Sequence, residues 1–476
     1  MLQLLCQINS VVKSLQETHF LKHELTIIGG GLAGCEAAWQ AAQLGCRVRL
    51  FEMRPGRPTG AHTGDRLAEL ICSNSLGSSL PDRSSGLLKE ELRLLGSLLL
   101  RCAEECAVPA GGALAVDRDV FSLKVSAALE AHPQISIIRE EITRIPPGPT
   151  IIASGPLTSL ALSASIQELT GQAHLAFFDA IAPIVTCESI NMGVAYRASR
   201  YGSEEVGEGD YINCPFEKDE YEAFVEALAG AEQIPLRDFE LPIQQGIDAG
   251  QYFEGCLPVE QIARRGLKTL AFGPMRPLGL RDPRTEKRPY AVLQLRQDNL
   301  AGTLYNLVGF QTNLVYAEQR RIFRMVPGLE NAEFVRYGQM HRNTFIASPA
   351  LLLPTLQLIQ RPDLFFAGQI CGVEGYMGNI ATGLLAGLNM GRLISGLDPI
   401  ELPVTTMLGA LCHYITHCPL NEFQPMKANY GILPPIENPA QGKRDRARQY
   451  GKRSLADLRS LMAGGGFPSP SLDRLQ

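Results

Sequence analysis

The chain has 476 residues, 45% of them hydrophobic and 20% charged, with a formal net charge of -5. That length predicts two or three domains with ample core. The composition excludes a disordered or fibrous chain, and the mild acidity excludes nucleic-acid binding through overall charge, although not through a local basic patch.

No run reaches about 18 uninterrupted apolar residues, so no transmembrane helix and no membrane partner are expected. Residues 1–24 carry neither a basic n-region nor a small-residue cleavage site and read as an N-terminal extension. The twelve cysteines are scattered without a framework spacing or a CxxC pair, which fits reduced thiols in the cytoplasm.

In chain order, Leu25–Ile28 is a short apolar run that stops at Gly29-Gly30-Gly31. The Ala-rich stretch 32–44 predicts a helix, and Arg47–Phe51 alternates like a strand that ends at Glu52. Strand, glycine turn, helix and strand within about 30 residues make a βαβ unit with a parallel sheet. Leu87–Cys106 reads as one helix, Ile135–Arg139 and Thr150–Ala153 as strands, and Leu160–Leu169 as a further helix. From 187 to 325 aromatics, Pro, Gly and charges mix and helical periodicity fades. Alpha/beta texture returns with Leu364–Gly368 and the glycine-rich 368–391. The expected fold class is α/β: a Rossmann-like dinucleotide-binding domain in two parts (25–186 and 326–460, the second with C-terminal helices). A smaller α+β domain is inserted at 187–325, and 461–476 forms a disordered tail.

Gly29, Gly31 and Gly34 fill a G-x-G-x-x-G pattern, with Gly30, Leu32 and Ala33 between them. The first glycine permits the tight turn, the second lets backbone approach a pyrophosphate, and the third lets helix and strand pack closely. The helix N-terminus offers free N–H groups to the phosphates. Glu52, at the end of the next strand, is placed to accept from ribose hydroxyls. The late Phe365-Phe366-Ala367-Gly368 segment favours FAD over NAD by analogy with flavoproteins in which such a segment closes the flavin pocket.

Cys72 stands in Leu70-Ile71-Cys72-Ser73-Asn74-Ser75, among hydroxyls and an amide that can hydrogen-bond a thiolate. Cys256 stands in Phe253-Glu254-Gly255-Cys256-Leu257-Pro258, a tight loop with a neighbouring acid. On residues alone each reads either as catalytic or as a small buried hydrophobe. His341 lies in a second polar cluster, His341-Arg342-Asn343. His413 and His417 lack a third ligand at a recognisable spacing, so no metal site is expected. Two segments are basic: Arg281–Arg288, with four cations against two acids, and Lys443–Arg453, with six against one.

Together the segments GGGLAG, LFEMRP, CSNSL, VPAGGALAVDRDVFS, DYINCP, YFEGCLPVE, FGPMRPLGLRDPRT, TLYNLVGFQTNL, HRNTFI and AGQICGVEGY resemble the bacterial folate- and FAD-dependent tRNA (uracil-5-)-methyltransferase family over about 25–455. The resemblance implies a Rossmann-like FAD-binding domain of the glutathione-reductase type, a substrate or RNA role for the domain inserted at 187–325, and FAD held by Gly29, Gly30, Gly31, Leu32, Ala33, Gly34 and Glu52, with Gly368 and its loop closing over the flavin. It implies Cys256 as nucleophile on uracil, Cys72 as an assisting thiol near the flavin, and His341 in contact with the folate pterin or the flavin. Methylenetetrahydrofolate would be the one-carbon donor, NADH or NADPH the reductant and a tRNA T-loop uridine the target, in a monomeric protein. The chain departs from the family pattern at Gly77 after CSNSL, at Cys371 after AGQI and at Met377-Gly378-Asn379 after VEGY. The same chemistry on ribosomal RNA and a small-molecule flavin oxidoreductase are the alternative readings.

Overall fold

The computed structural model describes residues 24–59, 61–172, 175–200, 209–234 and 257–466. Two six-stranded sheets organise them. The first runs in the order Gln357–Leu358, Arg361–Phe366, Thr150–Ile152, Glu24–Ile28, Arg47–Phe51, Ile135–Ile138. Its pairings are parallel except that between Gln357–Leu358 and Arg361–Phe366. Leu25, Ile27, Ile151, Ile152, Phe365 and Phe366 are fully buried. Such strands, covered on both faces, belong to the interior of an α/β unit.

Two helices lie against each other over this sheet. Helix Leu32–Gln43 follows the glycine turn, and the long helix Tyr376–Ile394 packs along it. A stripe of Gly383, Gly387 and Gly391, four residues apart on one helix face, makes the contact. A Cβ at Gly383 or Gly387 would run into the backbone at Ala33 or Ala37, and one at Gly391 would meet Leu44. The two backbones can therefore approach closely, and the N-termini of both helices come to the same end of the sheet.

The stretch 87–106 differs from expectation: it forms two helices, Ser84–Leu94 and Leu98–Glu105. Gly96 takes a left-handed φ of 76° and Ser97 caps the second helix by accepting from Leu100 N. The buried Glu36 carboxylate accepts from Leu98 N, Leu99 N and Ser97 Oγ, which satisfies donors that a helix start leaves open. The basic run Lys443–Arg453 begins the 19-residue helix Lys443–Leu461.

The second sheet is antiparallel throughout, in the order Tyr196–Ala198, Tyr211–Phe216, Ala291–Gln297, Leu304–Leu307, Ile184–Thr186, Phe334–Arg336. Two adjacent strands at one end of it fall on either side of 187–325: Ile184–Thr186, which pairs with Leu304–Leu307, and Phe334–Arg336, which pairs with Ile184–Thr186. Helices Lys218–Ala229 and Tyr316–Phe323 cover one face with Tyr221, Phe224 and Phe323.

Candidate active site

The glycine turn opens a cleft at the carboxyl end of the parallel strands. Gly29 has φ 112°, and its N–H donates to Phe51 O at 2.8 Å. A Cβ at Gly34 would strike the Gly29 carbonyl. At Gly31 an added Cβ meets nothing within 4 Å, so this residue's free side faces open space. The cleft encloses about 980 Å³ including its open mouth, a size suited to a large cofactor.

Glu52 forms one wall. It accepts from Gly30 N at 3.0 Å, from Arg54 N at 3.0 Å and from Arg54 Nε at 2.9 Å. Burial alone would raise its pKa, but the Arg54 hydrogen bonds and charge hold it below the usual carboxylate value. Arg54 is buried and also binds Glu69 at 2.9 Å. His62, paired with Thr59 Oγ1 at 2.6 Å, is pushed down to about 4 by burial and by the Arg54 charge. Its imidazole is neutral at neutral pH.

The opposite wall comes from the end of strand Arg361–Phe366. Gly368 has φ 82°, donates its N–H to Thr382 Oγ1 at 3.0 Å and packs on Ala33. Beside it, in the first turn of helix Tyr376–Ile394, Asn379 lines the cleft. Its Oδ1 is buried with no protein partner. A buried acceptor without a donor is costly, and a dinucleotide with hydroxyl and N–H donors answers it. The empty side of Gly31, the two helix N-termini, the ionised Glu52 and the orphaned Asn379 acceptor together fit a flavin dinucleotide.

The Cys72 loop adjoins this cleft. Ile71 and Tyr376 both line it, and the Tyr376 hydroxyl accepts from Cys72 N at 2.8 Å and Ser73 N at 3.1 Å. Cys72 is half-buried. Asn74, fully buried, ties the Cys72 loop to the antiparallel sheet. Its Nδ2 donates to Val116 O at 3.1 Å and Gln297 O at 2.8 Å. Its Oδ1 accepts from Arg296 Nε at 2.9 Å and Asn306 Nδ2 at 3.0 Å.

The structure thus brings Gly29, Gly30, Gly31, Leu32, Ala33, Glu52 and Gly368 to one cleft and sets Cys72 at its edge. Gly34 packs under the turn. Cys256 lies outside the described residues. The His341 backbone pairs with Asp179 in an antiparallel ribbon, and its side chain lies outside what is described. Of the departures from the family pattern, Asn379 lines the cleft, whereas Cys371 and Met377 are core residues. Gly77 occupies a left-handed position, φ 80°, and its carbonyl accepts from the buried Lys89 at 3.3 Å.

The residues alone did not single out Arg54, His62 or Tyr376, and marked Asn379 only as a departure from the family pattern. The repeated aromatic-glycine punctuation around Tyr376 and the Arg directly after Glu52-Met53 were the available signals. Among the described residues no group of three or more His, Cys, Asp or Glu is placed to hold a metal. His413 and His417 stack on each other with centroids 4.0 Å apart. The two basic segments differ. In Arg281–Arg288, Arg284 is tied to the buried Asp282, while Arg281, Lys287 and Arg288 are exposed. On helix Lys443–Leu461, Lys443, Arg444, Arg446, Arg448 and Lys452 are exposed, and Arg453 instead holds the carbonyls of Pro434 and Pro435.

Comparison with known proteins shows the family and the fold. The family model described as "Glucose inhibited division protein A" matches residues 24–398. The "Methylenetetrahydrofolate--tRNA-(uracil-5-)-methyltransferase TrmFO" of Bacillus cereus (strain Q1) is 53% identical over 438 residues, covering 92% of this chain and 98% of the relative. The protein of the same name from Bacillus anthracis (strain A0248) shows the same identity and coverage. Among solved structures, two crystal forms of Aquifex aeolicus GidA superpose with TM-scores of 0.65 and 0.62 at 16% identity. They cover 94% and 92% of this chain and 74% and 78% of theirs, and establish the shared fold. On the extent and identity of these matches, the chain belongs to the methylenetetrahydrofolate–tRNA-(uracil-5-)-methyltransferase family.

Proposed function

We propose that this protein methylates C5 of a T-loop uridine in tRNA, taking the carbon from methylenetetrahydrofolate and using FAD. The observation that carries the reading is 53% identity over 98% of the length of a relative named for this reaction, joined to a dinucleotide cleft that opens on the Cys72 loop.

Gly29, Gly31 and the N-terminus of helix Leu32–Gln43 take the pyrophosphate on backbone N–H groups. Glu52, kept ionised by Arg54, accepts from the adenosine ribose. Gly368 lets the chain turn against Ala33, and Asn379 accepts from a hydroxyl or N–H of the cofactor. Bound FAD, recharged by NADH or NADPH, supplies the hydride that completes the methyl group.

Uracil C5 is a weak nucleophile. The Cys256 thiolate adds to C6 and places the electron pair on the ring as an enolate, from which C5 attacks the one-carbon unit of the folate. A base then takes the C5 proton, the bond from the methylene carbon to the folate nitrogen breaks to release tetrahydrofolate, and hydride adds to the exocyclic methylene so that the resulting enolate expels the C6 sulfur as the Cys256 thiolate. Cys72 assists at the cleft edge, and His341 contacts the pterin or the flavin. The target uridine leaves the folded tRNA elbow to enter the site. Arg281–Arg288 and Lys443–Arg453 contact the RNA backbone, which makes affinity salt-dependent.

A T-arm RNA with 5-fluorouridine at the target tests the chemistry, because fluorine cannot leave as a proton does. A stable protein–RNA adduct that requires methylenetetrahydrofolate and maps to Cys256 is expected. No adduct, or one unchanged in Cys256→Ala, would overturn the assignment of the nucleophile.

A further inference from the structure

The most exposed large hydrophobic side chain among the described residues is Phe272, at 79%. It ends the short helix Thr269–Phe272, whose backbone is held from beneath. Leu270 is fully buried, Ala271 N donates to the Tyr221 hydroxyl at 2.9 Å, and Met275 N donates to Leu270 O at 2.9 Å. Phe272 N donates to Lys268 O at 3.2 Å, which sets the ring one turn from the exposed Lys268. An ordered aromatic ring held out into water forgoes the burial from which phenylalanine normally gains.

The ring stands in a cationic stretch of an acidic chain. Residues 264–288 hold eight Lys and Arg against two acids, Asp282 and Glu286, although the whole chain carries a formal charge of -5. All eight cations are exposed. Asp282 is buried and paired with Arg284 at 2.6 Å. Glu220, which also acts on Arg284, is engaged in the capping box of helix Lys218–Ala229.

Strand Ala291–Gln297 joins this stretch to the Cys72 loop. Val292 N donates to Met275 O at 2.9 Å, and the Arg200 guanidinium bridges Arg276 O and Gln294 Oε1. Four residues on from Val292, Arg296 donates to Asn74 Oδ1 at 2.9 Å and to Ser73 Oγ at 3.3 Å. That advance along the strand is about 13 Å, so a polymer gripped at Phe272 reaches the edge of the cleft over a short span. Cations take phosphates, and a free ring face takes the π-face of a base that is not already stacked. A duplex offers the cations its phosphates but offers Phe272 nothing, because its bases are stacked on one another.

We propose that Phe272 is a stacking platform for an unpaired base of the RNA substrate, with the surrounding cations on the flanking phosphates, and that it selects looped over fully paired RNA. The inference rests on reading the protein as an RNA-modifying enzyme. It adds a residue that recognises a nucleotide outside the flavin cleft.

The FAD-loaded full-length protein is titrated into a fluorescent T-arm stem-loop and into a fully paired duplex with the same number of phosphates, without folate or nicotinamide nucleotide. Phe272→Ala should weaken binding of the stem-loop about tenfold and of the duplex by less than about twofold. Phe272→Trp should hold the stem-loop at least as well as the wild type. Phe272→Leu, apolar but without a π-face, should lose nearly as much as Phe272→Ala. The log–log slope of affinity against salt should be the same in Phe272→Ala as in the wild type, and smaller by about one in Lys268→Gln. Unchanged stem-loop affinity in Phe272→Ala, with its melting curve and flavin spectrum intact, overturns the proposal. So does an equal loss on the duplex, or full retention in Phe272→Leu. Self-association of the wild type that Phe272→Ala abolishes in sedimentation would give the ring to a second copy of the chain and overturn it too. RNA that binds through Phe272 yet gains no methyl group would sink the methyl-transfer reading and leave the stacking site standing.

Discussion

The two sheets use burial in opposite ways. In the parallel sheet the strands carry apolar residues to both faces, and function is confined to the turn and cap at their carboxyl ends. In the antiparallel sheet one face is apolar, with Ile212, Cys214, Leu293, Leu295 and Leu307 in its core. The alternate positions bury Asn213, Gln294, Arg296 and Asn306. Register pairs Asn213 with Gln294 and Arg296 with Asn306, so these polar residues share the other face, as the two-residue strand period requires. They are hydrogen-bonded to one another and to Asn74. The first unit therefore builds a place for a cofactor out of backbone. The second supplies a floor of buried side-chain polarity on which the cysteine loop rests.

The largest effect that separates the two regions should come from Gly31→Val. The new side chain would fill the space toward the cleft without meeting protein. Flavin affinity should fall by about 100-fold or more, ~2.7 kcal/mol, while thermal stability changes little. Flavin fluorescence titration and a melting curve check both halves. Strong binding retained by the variant would place the cofactor elsewhere.

Asn74→Leu should break the second region instead. It strands the Arg296 and Asn306 donors and removes two donations to backbone carbonyls. A stability loss of about 2–4 kcal/mol in chemical denaturation is expected. A neutral result would mean that the Asn74 contacts carry no net energy.

Asn379→Ala tests the cleft more gently. Loss of one hydrogen bond to the cofactor should weaken FAD about 5–10-fold, roughly 1–1.4 kcal/mol, and Asn379→Ser should recover part of it. Equal affinity for all three proteins would show that the orphaned acceptor does not meet the flavin.

The smallest effect concerns pH. His62 has a folded value of about 4 against 6.5 unperturbed, so the unfolded chain binds more protons between these values. The stability His62 contributes is complete above about 6.5 and is lost as pH falls toward 4. His62→Gln should flatten that part of the stability profile measured by urea denaturation, and an unchanged slope would contradict the cause given.

This contrast also explains what could be read from the residues. The βαβ unit was legible because each of its signals is local: Leu25–Ile28, the glycines, the Ala-rich helix and Glu52 lie within one short stretch. The strand at Leu364 and the closing Gly368 were legible for the same reason. The antiparallel sheet was not: Ile212-Asn213-Cys214 and Leu293-Gln294-Leu295-Arg296 alternate, but their polar positions read as a solvated face although Asn213, Gln294 and Arg296 are buried, and the pairing strands lie far apart in the chain. The break at Gly96-Ser97 was hidden inside a leucine-rich run, where the left-handed Gly96, the Ser97 cap and the distant Glu36 carboxylate together make it a boundary. Tyr376 reaches the Cys72 loop across 304 residues, Arg296 across 223 and Arg118 across 46, so no short window of sequence contains both partners. What the resemblance to a known family added was the chemistry, which the residues themselves left open between catalytic and structural thiols.

The most direct test of the account follows the carbon. The purified FAD-loaded protein is incubated with unmodified tRNA transcript, NADH or NADPH, and methylenetetrahydrofolate labelled in its methylene group. The RNA is then digested and its nucleosides separated. The account predicts label in 5-methyluridine, absent without folate and absent with Cys256→Ala. Unlabelled uridine throughout, from protein whose bound flavin is reduced by the nicotinamide nucleotide, would contradict it.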